Sequence, residues 1–372
     1  MTLDAVDTPA LVVDRDVLRA NVAAMAALAR DAGVALRPHA KTHKLPQVAR
    51  MQLDAGAAGL TVAKLGEAEV FADAGASDLL IAYPLVGELK LARLVALARR
   101  LGSEPGGRIA VTVDAVGTAT AISRAVAAAG VEVGVRVEVD TGMHRLGLEP
   151  ASAALIELAR AVAALPGLRF EGVMTHEGQA YQATSETELE RAAAEACDAM
   201  VASAEAIRAA GVDCPVVSMG ATATARFAAG HPGVTEIRPG TYVFNDRSQV
   251  AHGSATAGDL AATVLATVVS RPSAQVACVD AGAKALTSDR MIAPGADGDF
   301  GAVAASGWPV ARASEEHGLV ALPAGADVAV GTRVAIVPNH ICPVVNLFDA
   351  VTVVERGHVV DRWPVAARGR LT

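Results

Sequence analysis

The sequence predicts an α/β protein: a parallel (β/α)8 TIM barrel followed by a second, mainly antiparallel β domain. Three observations carry that expectation. Eight short apolar segments alternate with alanine-rich helical segments over roughly 200 residues, polar residues collect where each apolar segment ends, and the rhythm changes after Val243. An open doubly wound sheet usually has fewer strands, and no glycine-rich nucleotide fingerprint is present to favour one.

Taken in order, residues 8–13 read as a short strand. A helix with apolar spacing (Val17, Leu18, Val22, Met25, Leu28) follows and stops at Gly33. The eight barrel strands are expected at 34–40, 59–63, 79–83, 109–114, 133–140, 170–176, 215–220 and 234–239, with helical periodicity between them at 66–74, 88–101, 150–164 and 185–210. Beyond the barrel, 261–270, 275–281, 319–322, 333–338 and 350–360 read as strands without long helices between them. The early strand is placed with that second sheet. The division is therefore 14–245 for the barrel, and 1–13 plus 246–372 for the β domain.

Composition narrows the function. At 372 residues the chain exceeds a single ordinary core, and although 52% of it is apolar, no unbroken apolar run reaches the roughly 18 residues of a membrane span. A soluble protein without a membrane partner is expected. The start, Met1-Thr2-Leu3-Asp4, lacks a basic and apolar leader, so the cytoplasm is the expected compartment. Four cysteines show no CxxC spacing, which argues against a zinc ribbon or a disulfide framework. A net charge of -8 with 3% aromatic residues speaks against a nucleic-acid surface.

The chemistry concentrates in Arg37-Pro38-His39-Ala40-Lys41-Thr42-His43-Lys44, where the first strand ends among cations. Only five lysines occur in the chain, and Lys41 sits at that strand end. Neighbouring positive charge disfavours protonation of an amine, and a neutral amine is what a Schiff-base nucleophile needs. The other strand ends bring Tyr83, Asp114, Glu138 and Asp140, then Thr175-His176-Glu177, the Ser218 to Thr224 turn, and Glu236 to Tyr242. Serine-, glycine- and threonine-rich turns after strands seven and eight suit a phosphate, so a lysine opposite them suggests pyridoxal 5'-phosphate (PLP).

These motifs, with Asp140-Thr141-Gly142-Met143-His144-Arg145-Leu146-Gly147, Glu236-Ile237-Arg238-Pro239-Gly240-Thr241-Tyr242 and Pro338-Asn339-His340-Ile341-Cys342-Pro343, resemble the fold-type III PLP enzymes of the D-threonine aldolase and D-serine dehydratase family. The resemblance covers nearly the whole chain. It implies that Lys41 carries the cofactor, that His176 lies against its ring, and that Gly220, Thr222, Thr224, Gly240 and Thr241 bind its phosphate. Arg145 and Arg238 are implied cofactor contacts, with His39, Tyr181 and Tyr242 beside them. His340 and Cys342 resemble the family's divalent-metal pair, whose second ligand is Asp in typical aldolases and Cys in dehydratases. A thiolate favours zinc over manganese or magnesium.

The implied reaction is retro-aldol cleavage of a β-hydroxy-D-amino acid to glycine and an aldehyde, with His43 as a candidate proton acceptor. The alternative in the same site is dehydratase-like elimination to a keto acid and ammonia. An alanine-type racemase needs a tyrosine from the second domain, and Tyr83, Tyr181 and Tyr242 all fall in the barrel half. A PLP-carrier protein resembles the barrel alone. The family also implies a homodimer in which the second domain of one chain closes the other's barrel.

Overall fold

A computed structural model of the chain describes residues 2–291 and 298–372. They group into two compact units, one of Ala24–Lys41, Pro46–Gly240 and Gly369–Thr372, the other of Met1–Ala23, Thr42–Leu45 and Thr241–Arg368.

The first unit is built on eight parallel strands: β1 (Ala35–Leu36), β2 (Leu60–Val62), β3 (Asp78–Ile81), β4 (Arg108–Val113), β5 (Val133–Glu138), β6 (Leu168–Met174), β7 (Val216–Met219) and β8 (Glu236–Ile237). Their order in the sheet is β1-β8-β7-β6-β5-β4-β3-β2, so the sheet curls round until its first two strands face each other. The seam between β1 and β2 is a single parallel bridge at His39 and Thr61. Thr61 N–H donates to the Pro38 carbonyl, and Ala40 N–H donates to the Thr61 carbonyl, both at 2.8 Å. The structure thus has the TIM-like architecture expected from the sequence.

Strands covered on both faces are buried throughout, as β2 and β5 are, even where Thr61, Arg136 and Glu138 interrupt their apolar runs. The helices supply the outer cover by ordinary amphipathic spacing. In Ala153–Ala164 the buried residues are Leu155, Leu158, Ala159 and Val162, one face of a helix that packs on β5 and β6. Ser152 caps it by accepting the Leu155 N–H at 3.2 Å.

The interior of this sheet also holds a buried ion cluster. Glu236 on β8 accepts from Arg37 Nε at 2.8 Å and from both terminal nitrogens of Arg136 on β5. Arg37 also pairs with Asp78 at 2.7 Å. Burial opposes the Glu236 carboxylate, but Arg136 and Arg37 overcome it and hold its pKa far below the usual range. Arg37, which the sequence placed in the positive field around Lys41, is instead neutralised here.

The second unit carries a nine-stranded, mainly antiparallel sheet. Ala10–Asp14 lies in it, antiparallel to Ala262–Ser273 and parallel to Ala350–Glu355. The segment expected as one strand at 350–360 is a hairpin, because Arg356 and Gly357 both take positive φ and turn the chain into His358–Pro364. Gly301–Val303 and Val310–Ala313 are strands the sequence reading did not anticipate. Among the described residues no helix is long and apolar enough to cross a membrane.

Candidate active site

The C-terminal ends of the parallel strands surround a cavity of about 410 Å³. Each strand delivers a small set of groups to it. His39 and Lys41 follow β1, Tyr83 follows β3, and Glu138 ends β5 with Arg145 in the loop beyond. His176 follows β6, Gly220 follows β7 and Arg238 follows β8; Ala63, Ala82, Leu146 and Met174 form the apolar walls. Strand-end placement is what lets residues far apart in sequence converge, because parallel strands all point the same way.

His176 is neutral in this setting. Burial, then the Lys41 cation, with smaller contributions from Arg145 and Arg238, push its pKa down to about 3 against an opposing hydrogen bond to the Gly220 carbonyl. That bond requires the proton on Nδ1, so Nε2 keeps its lone pair. Arg238 is fixed from two sides, donating to Ser218 Oγ and to the Thr175 carbonyl. Ser218 in turn donates to Glu236 at 2.6 Å, which ties the guanidinium in the cavity to the ion cluster behind it.

Two carboxyls complete the surroundings. Glu138 is buried and accepts from Thr112 Oγ1 at 3.0 Å; burial raises its pKa while Arg238, Thr112 and Arg145 work against the rise. Glu177 is fully buried and accepts from the Gly220 N–H at 3.0 Å and from Thr224 Oγ1 at 2.6 Å. Two donors anticipated for phosphate therefore end on a protein carboxylate. Thr222 Oγ1 accepts the Gly240 N–H at 3.2 Å. Tyr181 packs with Ala180, Leu189 and Ala223, outside the cavity lining. At Gly220 an added Cβ would lie 2.7 Å from Arg238 Nη2, so only glycine lets the guanidinium and this turn approach so closely.

A second polar cluster belongs to the other unit. Cys342 Sγ lies 3.1 Å from Thr42 Oγ1 and 3.7 Å from Thr241 Oγ1. His340 Nδ1 is 2.9 Å from Asp289. Burial opposes its protonation, yet the Cys342, Asp246 and Asp289 anions push its pKa up to about 9. His43 is fully buried, and its Nδ1 accepts the Leu45 N–H at 3.0 Å, so its proton is on Nε2. Tyr242 is buried in the Thr241–Val243 turn. Among the described residues no group of three or more His, Cys, Asp or Glu side chains is arranged to hold a metal.

Sequence reasoning assigned no role to Glu138, Glu177 or Asp289. For Glu138 and Glu177 the signal available was their place among the polar residues at the strand ends.

A family model described as "Alanine racemase, N-terminal domain" matches residues 13–248, and one described as "Putative serine dehydratase domain" matches 261–354. The D-threonine aldolase of Arthrobacter sp is 35% identical over 99% of this chain and 94% of its own length. The chain belongs to the D-threonine aldolase and D-serine dehydratase family of fold-type III PLP enzymes. Other members of this family are equally similar. The crystal structure of D-threonine aldolase from Filomicrobium marinum superposes with a TM-score of 0.92 at 35% identity, covering 100% of this chain and 98% of that one. The D-threo-3-hydroxyaspartate dehydratase of Delftia sp. (strain HT23) is 37% identical over 97% of this chain and 98% of its own. A cysteine-to-alanine mutant of a D-threo-3-hydroxyaspartate dehydratase, in the metal-free form, superposes with a TM-score of 0.88 at 36% identity over 98% of each chain.

PLP is the cofactor expected in this family, and the cavity fits it. It offers a lysine, a neutral imidazole, two guanidiniums, apolar walls for a planar ring, and a turn kept open by Gly220.

Proposed function

We propose that this protein is a PLP- and divalent-metal-dependent lyase that cleaves β-hydroxy-D-amino acids by retro-aldol scission, giving glycine and an aldehyde. The observation that carries the reading is the convergence of Lys41, neutral His176 and the tethered Arg238 on one cavity at the strand ends. In this reading the barrel, 14–245, is the cofactor-binding domain. Residues 1–13 and 246–372 form the domain that carries the metal pair.

PLP, when bound, supplies the electron sink for the carbanion that Cα–Cβ cleavage leaves. Lys41 is the amine that would hold it. Arg238 and Arg145 bring positive charge to the ring and carboxylate region, and Arg238 does so without rotational freedom because Ser218 and Thr175 fix it. His176, neutral across the working pH range, presents Nε2 as an acceptor without adding another cation. The phosphate reading rests on Thr222 and Thr241, because Glu177 occupies Gly220 N–H and Thr224, and the Gly240 N–H ends on Thr222 Oγ1. Glu177 shapes that turn. His43 is the candidate proton acceptor, and taking a proton from the hydroxyl would require its bond from Leu45 to break.

His340 and Cys342 are the residues that would hold the metal. Imidazole and thiolate are donors that suit zinc, and two protein ligands leave positions open for a Lewis-acid role toward a hydroxyl. Manganese or magnesium suits such a pair less well. Thr42 beside Cys342 supplies a hydrogen bond to the sulfur.

Cys342 also favours the second reading, a dehydratase that eliminates the hydroxyl to give a keto acid and ammonia. Purified protein with PLP and zinc, assayed on D-threonine and D-serine for aldehyde and for keto acid, separates the two. Neither product from any β-hydroxy-D-amino acid would overturn both. The quaternary reading is a homodimer, which sedimentation velocity tests.

A further inference from the structure

The segment around His340 is held at consecutive positions by separate groups of its own unit. Asn339 is buried; its Oδ1 accepts from Arg247 Nη1 at 2.7 Å, and its carbonyl accepts from Ser248 Oγ at 2.7 Å. Its Nδ2 donates to the backbone carbonyl of Asp289 at 3.0 Å and to that of Asp299 at 2.7 Å. The Ile341 N–H donates to Asp246 at 3.0 Å, and Asp246 also accepts the Gln249 N–H at 3.0 Å as a helix cap. Between these two anchors, His340 Nδ1 lies 2.9 Å from Asp289 Oδ2.

A closed ring of contacts results. Asn339 holds the Asp289 backbone, and the Asp289 side chain returns to the residue that follows Asn339. A carboxylate only accepts, so Nδ1 carries the proton in this pair. We propose that Asp289 is the positioning residue of the metal pair: it fixes the rotation and tautomer of His340, so that Nε2 is the nitrogen left to bind a divalent cation beside Cys342 Sγ. Histidine ligands commonly pass their other N–H to a carboxylate, and losing that partner weakens metal binding by about 10–100-fold. The inference rests on the metal reading above and adds to it the residue that makes His340 a preformed ligand.

The test measures zinc affinity of the full-length, PLP-loaded protein by competition with a chromophoric chelator. D289N keeps the size of the side chain and removes its charge. It is expected to bind zinc about 10–100-fold more weakly than the unaltered protein, with the cofactor's visible spectrum and the thermal midpoint of the zinc-free protein unchanged. D289E, which restores a carboxylate, is expected to bind more tightly than D289A; equal affinity of those two would overturn the proposal even if D289N folds poorly. D289N binding zinc as tightly as the unaltered protein overturns the role of Asp289 and leaves the metal reading standing. An unaltered protein that binds no zinc overturns both.

Discussion

The Gly220 backbone N–H donates to the buried Glu177 carboxylate at 3.0 Å. With Thr224 Oγ1 on the other oxygen at 2.6 Å, Glu177 fixes the turn that follows β7 from beneath, and the same turn supplies the carbonyl that holds His176. Replacing it by alanine leaves the buried Gly220 N–H without its partner, which costs about 1–3 kcal/mol, and leaves Thr224 Oγ1 with a 3.5 Å contact to the Ala221 carbonyl. E177A is therefore expected to lower the unfolding free energy by at least that amount and to weaken PLP binding about tenfold or more, read by cofactor titration of the apoprotein.

Lys41 lines the cavity, and the chain's four other lysines do not. K41A and K41R are both expected to lose the visible absorption of the lysine-bound cofactor and to reduce turnover by roughly 10³-fold or more, because a guanidinium keeps its charge and is no nucleophile. A K41R protein that retained the band would place the attachment elsewhere.

His176 gives a pH prediction with a defined sign. In the unfolded chain it titrates at its ordinary 6.5, but folded it titrates near 3. Below 6.5 the unfolded state binds a proton that the native state refuses, so stability is present above that pH and falls as pH drops from 6.5 toward 3. H176Q removes this share. Urea unfolding at pH 7 and pH 4 is expected to show a smaller acid loss for H176Q than for the unaltered protein. Glu236, held ionised by Arg37 and Arg136, adds a further loss in more acidic solution that the substitution leaves intact.

In the proposed reading, Cys342 is where zinc preference and reaction choice would meet. Substituting Asp exchanges a soft donor for a hard one, so C342D is expected to shift retention from zinc toward manganese or magnesium and to raise the ratio of aldehyde to keto acid. Metal content by mass spectrometry and product analysis on D-threonine check both.

The barrel was legible because each strand is a compact apolar run ending in polar residues, a pattern that survives without knowledge of neighbours. Strand length was not. The segments expected at 34–40 and 234–239 shrink to Ala35–Leu36 and Glu236–Ile237, since Pro38 and Pro239 have no N–H to continue a ladder. The hairpin at Arg356-Gly357 was hidden because the apolar alternation runs on both sides of it. Lys41, His176, Arg145, Arg238 and Gly220 do gather at one cavity. Glu138 and Glu177 stood among the strand-end polar residues, but no role followed, because a carboxylate that will be buried looks, in sequence, like any surface one. What distinguishes them is the partner: Thr112 for the first, Gly220 and Thr224 for the second. Arg37 was misread for the same reason, its counter-ion Glu236 lying far along the chain.

The seam of the parallel sheet has a mechanical consequence. Where other neighbouring strands share ladders, β1 and β2 share one bridge: two backbone bonds through Thr61, one of them to a proline carbonyl, flanked by Thr61 Oγ1 on the Arg37 carbonyl and the Ala58 N–H on the Leu36 carbonyl. A cylinder opens at its weakest joint, and amide protons report the opening. Ala40 and Thr61 should therefore exchange with deuterium before the amides of β5 or β6. Ala40 is the residue before Lys41, so a cofactor anchored there would act as a clasp on the stave most ready to spring, and its loss would be felt first as a loosening of the wall.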